Sequence, residues 1–267
     1  MKRTLIILLF VLVIGVLPVA AITWGELDTE HTNVGAMVAD YPGYGPYQVC
    51  SGTLIHPRVF LTAGHCTDGW EGTGVTTFWV NFDQYALNPA TLLEVEQLIT
   101  HPDYWWGPNS NPHDVGALIL KDPVNGIAPA NLPYQGFLDD LHAAGKLNQG
   151  KIKAKFTLVG YGGILDFPPP DISYPDDLRR YSESEFRALL KVWLRMSQNQ
   201  ATDDGGTCYG DSGGPSFWTD PDTGIETLVG ITSWGDASCV ASAFNYRVDI
   251  PDTLDFVADV IAIIDSP

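Results

Sequence analysis

Short apolar runs recur along the first half of the chain between clusters of turn-forming residues. Val34 to Ala39, Thr53 to Ile55, Val59 to Thr62, Thr76 to Phe82, Leu92 to Ile99 and Val115 to Leu120 are the runs. Tyr41-Pro42-Gly43, His56-Pro57, Gly72-Thr73-Gly74, Asn88-Pro89 and Trp106-Gly107-Pro108-Asn109 separate them. Runs of this length, bounded by residues that bend or break the backbone, predict an antiparallel sandwich or barrel. A connecting segment from Asp122 to Gly150 follows. A second strand-rich half then starts at Lys151 to Val159 and includes Thr227 to Trp234 and Phe244 to Val248.

Two stretches depart from the strand pattern. Leu178 to Met196 is rich in Arg, Leu, Glu and Ala, and Ser182 with Glu185 has the spacing of a capping box, so local propensity predicts a helix there. Asp252 to Ile264 places Leu254, Val257, Val260, Ile261 and Ile264 at three- and four-residue intervals, the stripe of an amphipathic helix. Pro168-Pro169-Pro170 predicts a surface loop. Asp220-Pro221-Asp222-Thr223-Gly224 predicts a hairpin turn, with calcium binding by its two carboxylates the weaker alternative.

The N-terminus has a different character. Lys2 and Arg3 precede an apolar run from Leu5 to Leu17, and Pro18-Val19-Ala20-Ala21 supplies small side chains where signal peptidase reads. The run falls short of the ~20 residues a spanning helix needs, which disfavours an uncleaved anchor. The expectation is a signal peptide over residues 1–21, a mature chain over 22–267 and a secreted protein without membrane attachment. Of 267 residues, 14 are Lys or Arg and 32 Asp or Glu, a net charge of −18. Losing Lys2 and Arg3 gives 12 − 32 = −20. Such acidity excludes a protein that tracks nucleic acid by neutralising phosphates.

Secretion changes the reading of Cys50, Cys66, Cys208 and Cys239. In an oxidising compartment an even count favours two disulfides. Three pairings are open, of which Cys50 with Cys66 and Cys208 with Cys239 are the local ones. No C-x-x-C pair exists, so no metal site is expected.

Gly210-Asp211-Ser212-Gly213-Gly214-Pro215 carries the clearest chemistry. Glycines flanking Ser212 permit a tight turn that exposes the hydroxyl and aims successive N–H groups at one point, as stabilising an oxyanion requires. The hexapeptide also fits the G-x-S-x-G pattern of α/β-hydrolases, but that fold needs its histidine after the serine. All six histidines here (His31, His56, His65, His101, His113 and His142) precede Ser212. His65 stands apart, because it lies in Leu61-Thr62-Ala63-Gly64-His65-Cys66. A Cys50–Cys66 bridge would pin this segment, closing a loop of about 17 residues worth on the order of 3 kcal/mol. An acid that orients such an imidazole belongs beside a hydrophobic strand, shielded from water. Asp114, leading Val115-Gly116-Ala117-Leu118-Ile119-Leu120, fits. Asp103 is the nearby competitor and lacks the apolar run.

Thr62-Ala63-Gly64-His65-Cys66, Asp114-Val115-Gly116-Ala117-Leu118 and Gly210-Asp211-Ser212-Gly213-Gly214-Pro215, in that order, resemble the chymotrypsin/trypsin family of serine endopeptidases. The resemblance implies an all-β fold of two six-stranded antiparallel β-barrels with a C-terminal helix. The barrels would cover about 22–132 and about 150–250, and the helix 252–264. It also implies that Leu178 to Met196 is mostly strand, against local propensity. His65, Asp114 and Ser212 would be the catalytic residues, the N–H groups of Gly210 and Ser212 the oxyanion hole, and Ser233-Trp234-Gly235 the strand that pairs with substrate. Cys208–Cys239 would frame the specificity pocket. Ile22-Thr23-Trp24-Gly25-Glu26 resembles the mature N-terminus of the family, whose α-ammonium pairs with the acid before the nucleophile, here Asp211. Since the predicted signal cut ends there, signal peptidase itself is the expected activator.

The family sets specificity at the pocket floor, six positions before the nucleophile. That position is Gly206, followed by Thr207, so an uncharged pocket with preference for apolar or aromatic residues before the cut is expected. Trypsin-like preference for basic residues is the alternative, with Asp203, Asp204 or Asp236 as the source of an acid. Thr232 before Ser233 disfavours glutamate specificity. Phe244 is expected on the opposite pocket wall. The expected partner is a protein or peptide substrate, with no cofactor, and the expected state a monomer. A catalytically silent binding relative is the competing class.

Overall fold

Six strands rich in β-branched and apolar residues close on themselves in the first half of the chain. The computed structural model describes residues 22–265 apart from 106, 108–109, 150–151, 166–171 and 174–176. The expected signal peptide over residues 1–21 and the expected loop at Pro168-Pro169-Pro170 lie outside the described residues, as does part of the expected turn at 106–109. A short strand β1 (Glu26–Leu27) precedes β2 (Val34–Tyr41), β3 (Gly45–His56), β4 (Val59–Thr62), the one-turn helix α1 (Gly64–Thr67), β5 (Phe78–Asn81), β6 (Leu93–Thr100) and β7 (Gly116–Leu120). β2 to β7 form a closed antiparallel barrel in the order β2-β3-β4-β7-β6-β5. All five residues of β7 are buried, so its continuous apolar run is a core strand.

The connecting segment carries a helix that the sequence pattern did not announce, α2 (Phe137–Ala143). It starts after Gly136 and docks through Leu138 and Leu141, with the Leu138 N–H donating to Asp249 Oδ2 at 2.8 Å. The hairpin β8 (Asn148–Gln149) and β9 (Ile152–Lys153) leads into β10 (Lys155–Gly160), the pair β11 (Ile164–Leu165) and β12 (Ile172–Ser173), and β13 (Arg180–Leu189). Then follow β14 (Trp193–Ser197), β15 (Pro215–Thr219), β16 (Glu226–Gly235), β17 (Ser242–Arg247) and the C-terminal helix α3 (Pro251–Asp265). The sheet runs β1-β13-β10-β15-β16-β17-β14, and β14 pairs back onto β13, closing a second six-stranded barrel with β1 outside it. The segment before the first barrel thus leans on the second, Glu26 opposite Tyr181.

The stretch whose composition favours a helix is strand, as the family resemblance implied. Along β13, Arg180, Ser182, Ser184 and Phe186 are buried while Glu183 and Arg187 face out, a period of two. β10 and β14 take its two edges. The hairpin between β15 and β16 also forms, with Asp220 accepting the N–H groups of Asp222 and Thr223.

A buried charged network joins the two halves. Arg179, only 3% exposed, donates to Asp28 Oδ2 at 2.8 Å, the Tyr161 hydroxyl at 3.1 Å and, across the barrel boundary, the carbonyls of Val34 (3.2 Å) and Phe82 (2.9 Å). Asp28 also meets His31 Nδ1 at 2.7 Å, and His31 Nε2 lies 3.2 Å from Glu226. Burial disfavours the His31 imidazolium, but its two carboxylate partners outweigh burial and raise its pKa to about 9. Because the folded-state value is raised, this contribution is complete below about 6.5 and lost as pH rises through about 9. Urea unfolding of His31→Gln should therefore show a stability gap from the native sequence on the order of 2 kcal/mol near about pH 6 that narrows by about pH 9.5. An equal gap at both values would contradict the assignment.

Candidate active site

β4 runs straight into α1, and this sharp passage from strand to one helical turn places His65. The Cys66 side chain is bonded to Cys50 on β3, tying α1 back to the barrel wall. Gly116, the first residue of β7, permits the close approach of that strand, because a Cβ there would meet Thr67 Oγ1 at 2.4 Å. Asp114 immediately precedes β7 and is fully buried. Its carboxylate accepts the His65 N–H at 2.9 Å and faces His65 Nδ1 at 3.0 and 3.1 Å. The Ser233 hydroxyl donates to Asp114 Oδ2. Burial pushes the Asp114 carboxyl up, but the hydrogen bonds and charge of His65, with Ser233, outweigh it and hold it below its usual range.

Ser212 enters from the second barrel. The loop between Cys208 and Pro215 turns through Gly210 at φ +94° and Gly213 at φ +81°, left-handed conformations that favour glycine. A Cβ on Gly213 would lie 1.9 Å from Thr62 Oγ1 and 2.4 Å from the Ser51 carbonyl, so the loop is pressed onto the first barrel. Ser51 fastens the contact. Its N–H donates to the Ser212 carbonyl at 2.8 Å, its hydroxyl donates to the Gly210 carbonyl at 3.0 Å, and that hydroxyl accepts the Tyr161 N–H at 3.0 Å. The N–H groups of Gly210 and Ser212 have no internal acceptor among the described residues.

His65 and Ser212 share two adjoining depressions. One, about 590 Å³, is lined by Thr207, Tyr209, Ser233, Trp234 and Gly235, and the disulfide Cys208–Cys239 frames it. The other, about 720 Å³, lies along an aromatic wall of Tyr41, Tyr44, Tyr47 and Trp70. Phe244 does not wall the first depression. After the register shift between Thr232 and Trp234, Phe244 sits opposite Trp234 and stacks on its indole at 3.8 Å and 5°. Its neighbours Ala243 and Asn245 are fully buried while Phe244 itself is half-buried, so the inward face is set one residue away from the sequence expectation. Gly206 does not reach the lining either. The side chain of Gln198, which the sequence reading did not single out, lies over its Cα.

Asp211 is fully buried beneath the loop that carries Ser212, sealed by glycines: a Cβ on Gly160 would meet its Oδ1 at 2.2 Å. Its oxygens accept the N–H groups of Cys208 and Gly162, each at 2.8 Å. Burial raises its pKa to about 7 despite these bonds, and no cation pairs with it among the described residues. Ile22 is also fully buried, within the cluster of Leu138, Phe156 and Leu194, and Thr23 exchanges backbone hydrogen bonds with Gly206 at 2.7 and 3.0 Å.

His101 and His113, which the sequence assigned no role, stack at 4.9 Å beside Asp252 in the first turn of α3. His113 Nδ1 and the Tyr246 hydroxyl reach the Asp252 carboxylate at 2.9 and 2.7 Å, anchoring the residue before Asp114 to the C-terminal helix. His101 Nδ1 accepts the Asp103 N–H at 3.1 Å, which leaves the proton of the neutral ring on Nε2 and makes the group a poor metal cradle.

Two closed six-stranded barrels, with a histidine–aspartate pair from one facing a serine loop from the other, define a chymotrypsin-type architecture. The family model described as Trypsin matches residues 23–256, and the chain belongs to that family. It is 27% identical over 242 residues to an ovochymase of Halocynthia roretzi, covering 87% of this chain but 14% of that protein. It is 26% identical to a venom serine protease of Polistes dominula, covering 81% of this chain and 76% of that protein. An inactive CLIP domain-containing serine protease A28 of Anopheles gambiae is 28% identical, with 70% of this chain and 49% of that protein covered. A solved HL collagenase structure superposes with a TM-score of 0.62 at 16% identity over 87% of this chain and 94% of its own, a likeness of fold.

The Cys50–Cys66 bridge spans a sequence separation of 16 and holds α1. Replacing both cysteines by alanine should lower stability in urea unfolding by about 3 kcal/mol. A loss below about 1 kcal/mol would show that the bridge constrains the unfolded chain far less than its loop length implies.

Proposed function

We propose that the mature chain is a secreted serine endopeptidase that hydrolyses peptide bonds through an acyl-enzyme. The observation that carries this reading is the fully buried Asp114 on His65 Nδ1, beside a cleft shared by His65 and Ser212. Asp114 fixes the tautomer that bears its proton on Nδ1 and leaves Nε2 as the base. Ser212 Oγ attacks the scissile carbonyl as His65 takes its proton, and His65 returns that proton to the leaving amine. Water then repeats the sequence to release the acyl group. The unengaged N–H groups of Gly210 and Ser212 receive the oxyanion. This division of labour is the one known for the family's best-studied members, carried over residue by residue.

Ser212→Ala or His65→Ala should lower turnover by at least about 10⁴-fold, the magnitude known for the family. A fluorophosphonate probe should label the native chain and not Ser212→Ala. No labelling of intact, folded protein would favour the second reading, a silent binding relative, for which the 28%-identical inactive protein is the precedent.

Activation rests on Ile22 and Asp211. Ile22, a β-branched residue, is held at φ +52°, a strained conformation that exists only while residue 21 is attached. Cleavage after Ala21 removes that dihedral and frees an α-ammonium, the cation that the buried Asp211 lacks. Signal peptidase then makes the active enzyme with no separate zymogen. N-terminal sequencing of the secreted protein should begin at Ile22, and any other start would contradict this route.

The substrates are proteins or peptides, and the enzyme acts as a monomer. With Gly206 where the family's basic-specific members carry an acid, the pocket takes an uncharged residue before the cut, apolar or aromatic.

A further inference from the structure

A bulge in β3 brings a polar side chain onto the loop that carries Ser212. Val38 pairs with Gln48 and Met37 with Cys50, so Val49 is an extra residue in the strand, and such an insertion bends a strand and re-aims its side chains. Gln48 is only 8% exposed. Its Nε2 donates to the Gly210 carbonyl and to the Cys50 carbonyl, each at 2.9 Å, which uses both of its N–H groups. The Ser51 hydroxyl donates to the same Gly210 carbonyl at 3.0 Å. A Cβ on Gly210 would lie 2.9 Å from Gln48 Oε1 and 2.9 Å from Gly162 Cα, so Gly210 is held between the carboxamide and the segment after β10.

Gly210 has no Cβ, and at φ +94° the peptide planes on either side of it can turn at little steric cost. Its N–H keeps one direction only while both planes are held. The first plane is held at Tyr209, whose carbonyl accepts the Gly163 N–H at 2.7 Å, and a planar trans peptide then turns the Gly210 N–H to the opposite side. The second plane is tied within the loop by the Asp211 N–H donating to the Cys208 carbonyl at 3.1 Å, and from the first barrel by Gln48 and Ser51. We infer that Gln48 is a positioning residue for the oxyanion hole: its hold on the Gly210 carbonyl keeps the Gly210 N–H aimed at the oxygen of the scissile carbonyl as charge develops there. This rests on the endopeptidase reading and deepens it. Gln48 acts through Gly210, so it contributes to stabilising the transition state and not to binding the substrate.

The test compares the native protein, Gln48→Met and Gln48→Asn on one peptide substrate, with active sites counted by uptake of the fluorophosphonate. Met fills the same space without a donor, and Asn keeps the amide but withdraws it by one carbon, so misfolding of one variant leaves the other. Each should lower kcat about tenfold, the worth of one hydrogen bond, with KM unchanged. The infrared spectrum of the acyl-enzyme is the second readout. Hydrogen bonds from the oxyanion hole weaken the C=O bond of the acyl group, so its stretch should move to higher frequency in both variants. A general loss of stability would move neither kcat per labelled site nor that band. In the native protein the side-chain N–H groups of Gln48 should exchange with deuterium far more slowly than those of the exposed Gln97, and equal exchange would overturn the inference without any variant. Unchanged kcat, a raised KM with kcat intact, or an unmoved band in labelled variants overturns this inference alone. Absence of labelling in the native protein overturns the endopeptidase reading and this inference with it.

Discussion

Ser51 is the point at which the two barrels become one site. Its backbone N–H and its hydroxyl each hold a carbonyl of the Ser212 loop, and the same hydroxyl accepts a backbone N–H from Tyr161 in the second barrel. Gly213 presses against Thr62 and the Ser51 carbonyl, leaving no space for a side chain. His65 and Asp114 are fixed within the first barrel by a disulfide, a strand start and a buried hydrogen bond, while Ser212 belongs to the second. Their mutual geometry is therefore only as good as this seam. Hydrogen bonds that fix one loop to another barrel do little for each barrel alone, but they supply the positioning that a proton relay needs.

Around the seam, buried polar groups fall into two kinds. The Arg179–Asp28–His31–Glu226 network is paired throughout, and Asp114 is surrounded by donors. Among the described residues Asp211 and Gln198 are not: one is a buried carboxylate with only backbone donors, the other a buried amide whose oxygen has no partner. Native interiors rarely leave such groups incomplete. For Asp211 the proposed activation would supply a partner, the α-ammonium freed by cleavage before Ile22.

Chemistry at short sequence range was the most readable part of the chain. The segments around His65, Asp114 and Ser212 each carry their own structural reason in a few residues, a disulfide, an apolar strand and flanking glycines. The barrel strands were legible where apolar runs sit between turns. Features set by distant pairing were not. β13 is strand because β10 and β14 hydrogen-bond its edges, against a composition suited to a helix. A single register shift in β16 moved Phe244 off the expected wall and onto Trp234. Glu26 and Leu27 extend the second barrel from the far end of the sequence. Gln198 gave no signal at all, because its place against Gly206 follows from how β14 ends.

The account stands on Ser212 forming a covalent acyl-enzyme at the seam. Mixing the mature protein with an activated ester of an aromatic amino acid, quenching in acid and mapping the adduct by mass spectrometry measures this directly. One acyl group per chain, located on Ser212, is the predicted result. No adduct, or an adduct on another residue, would contradict it.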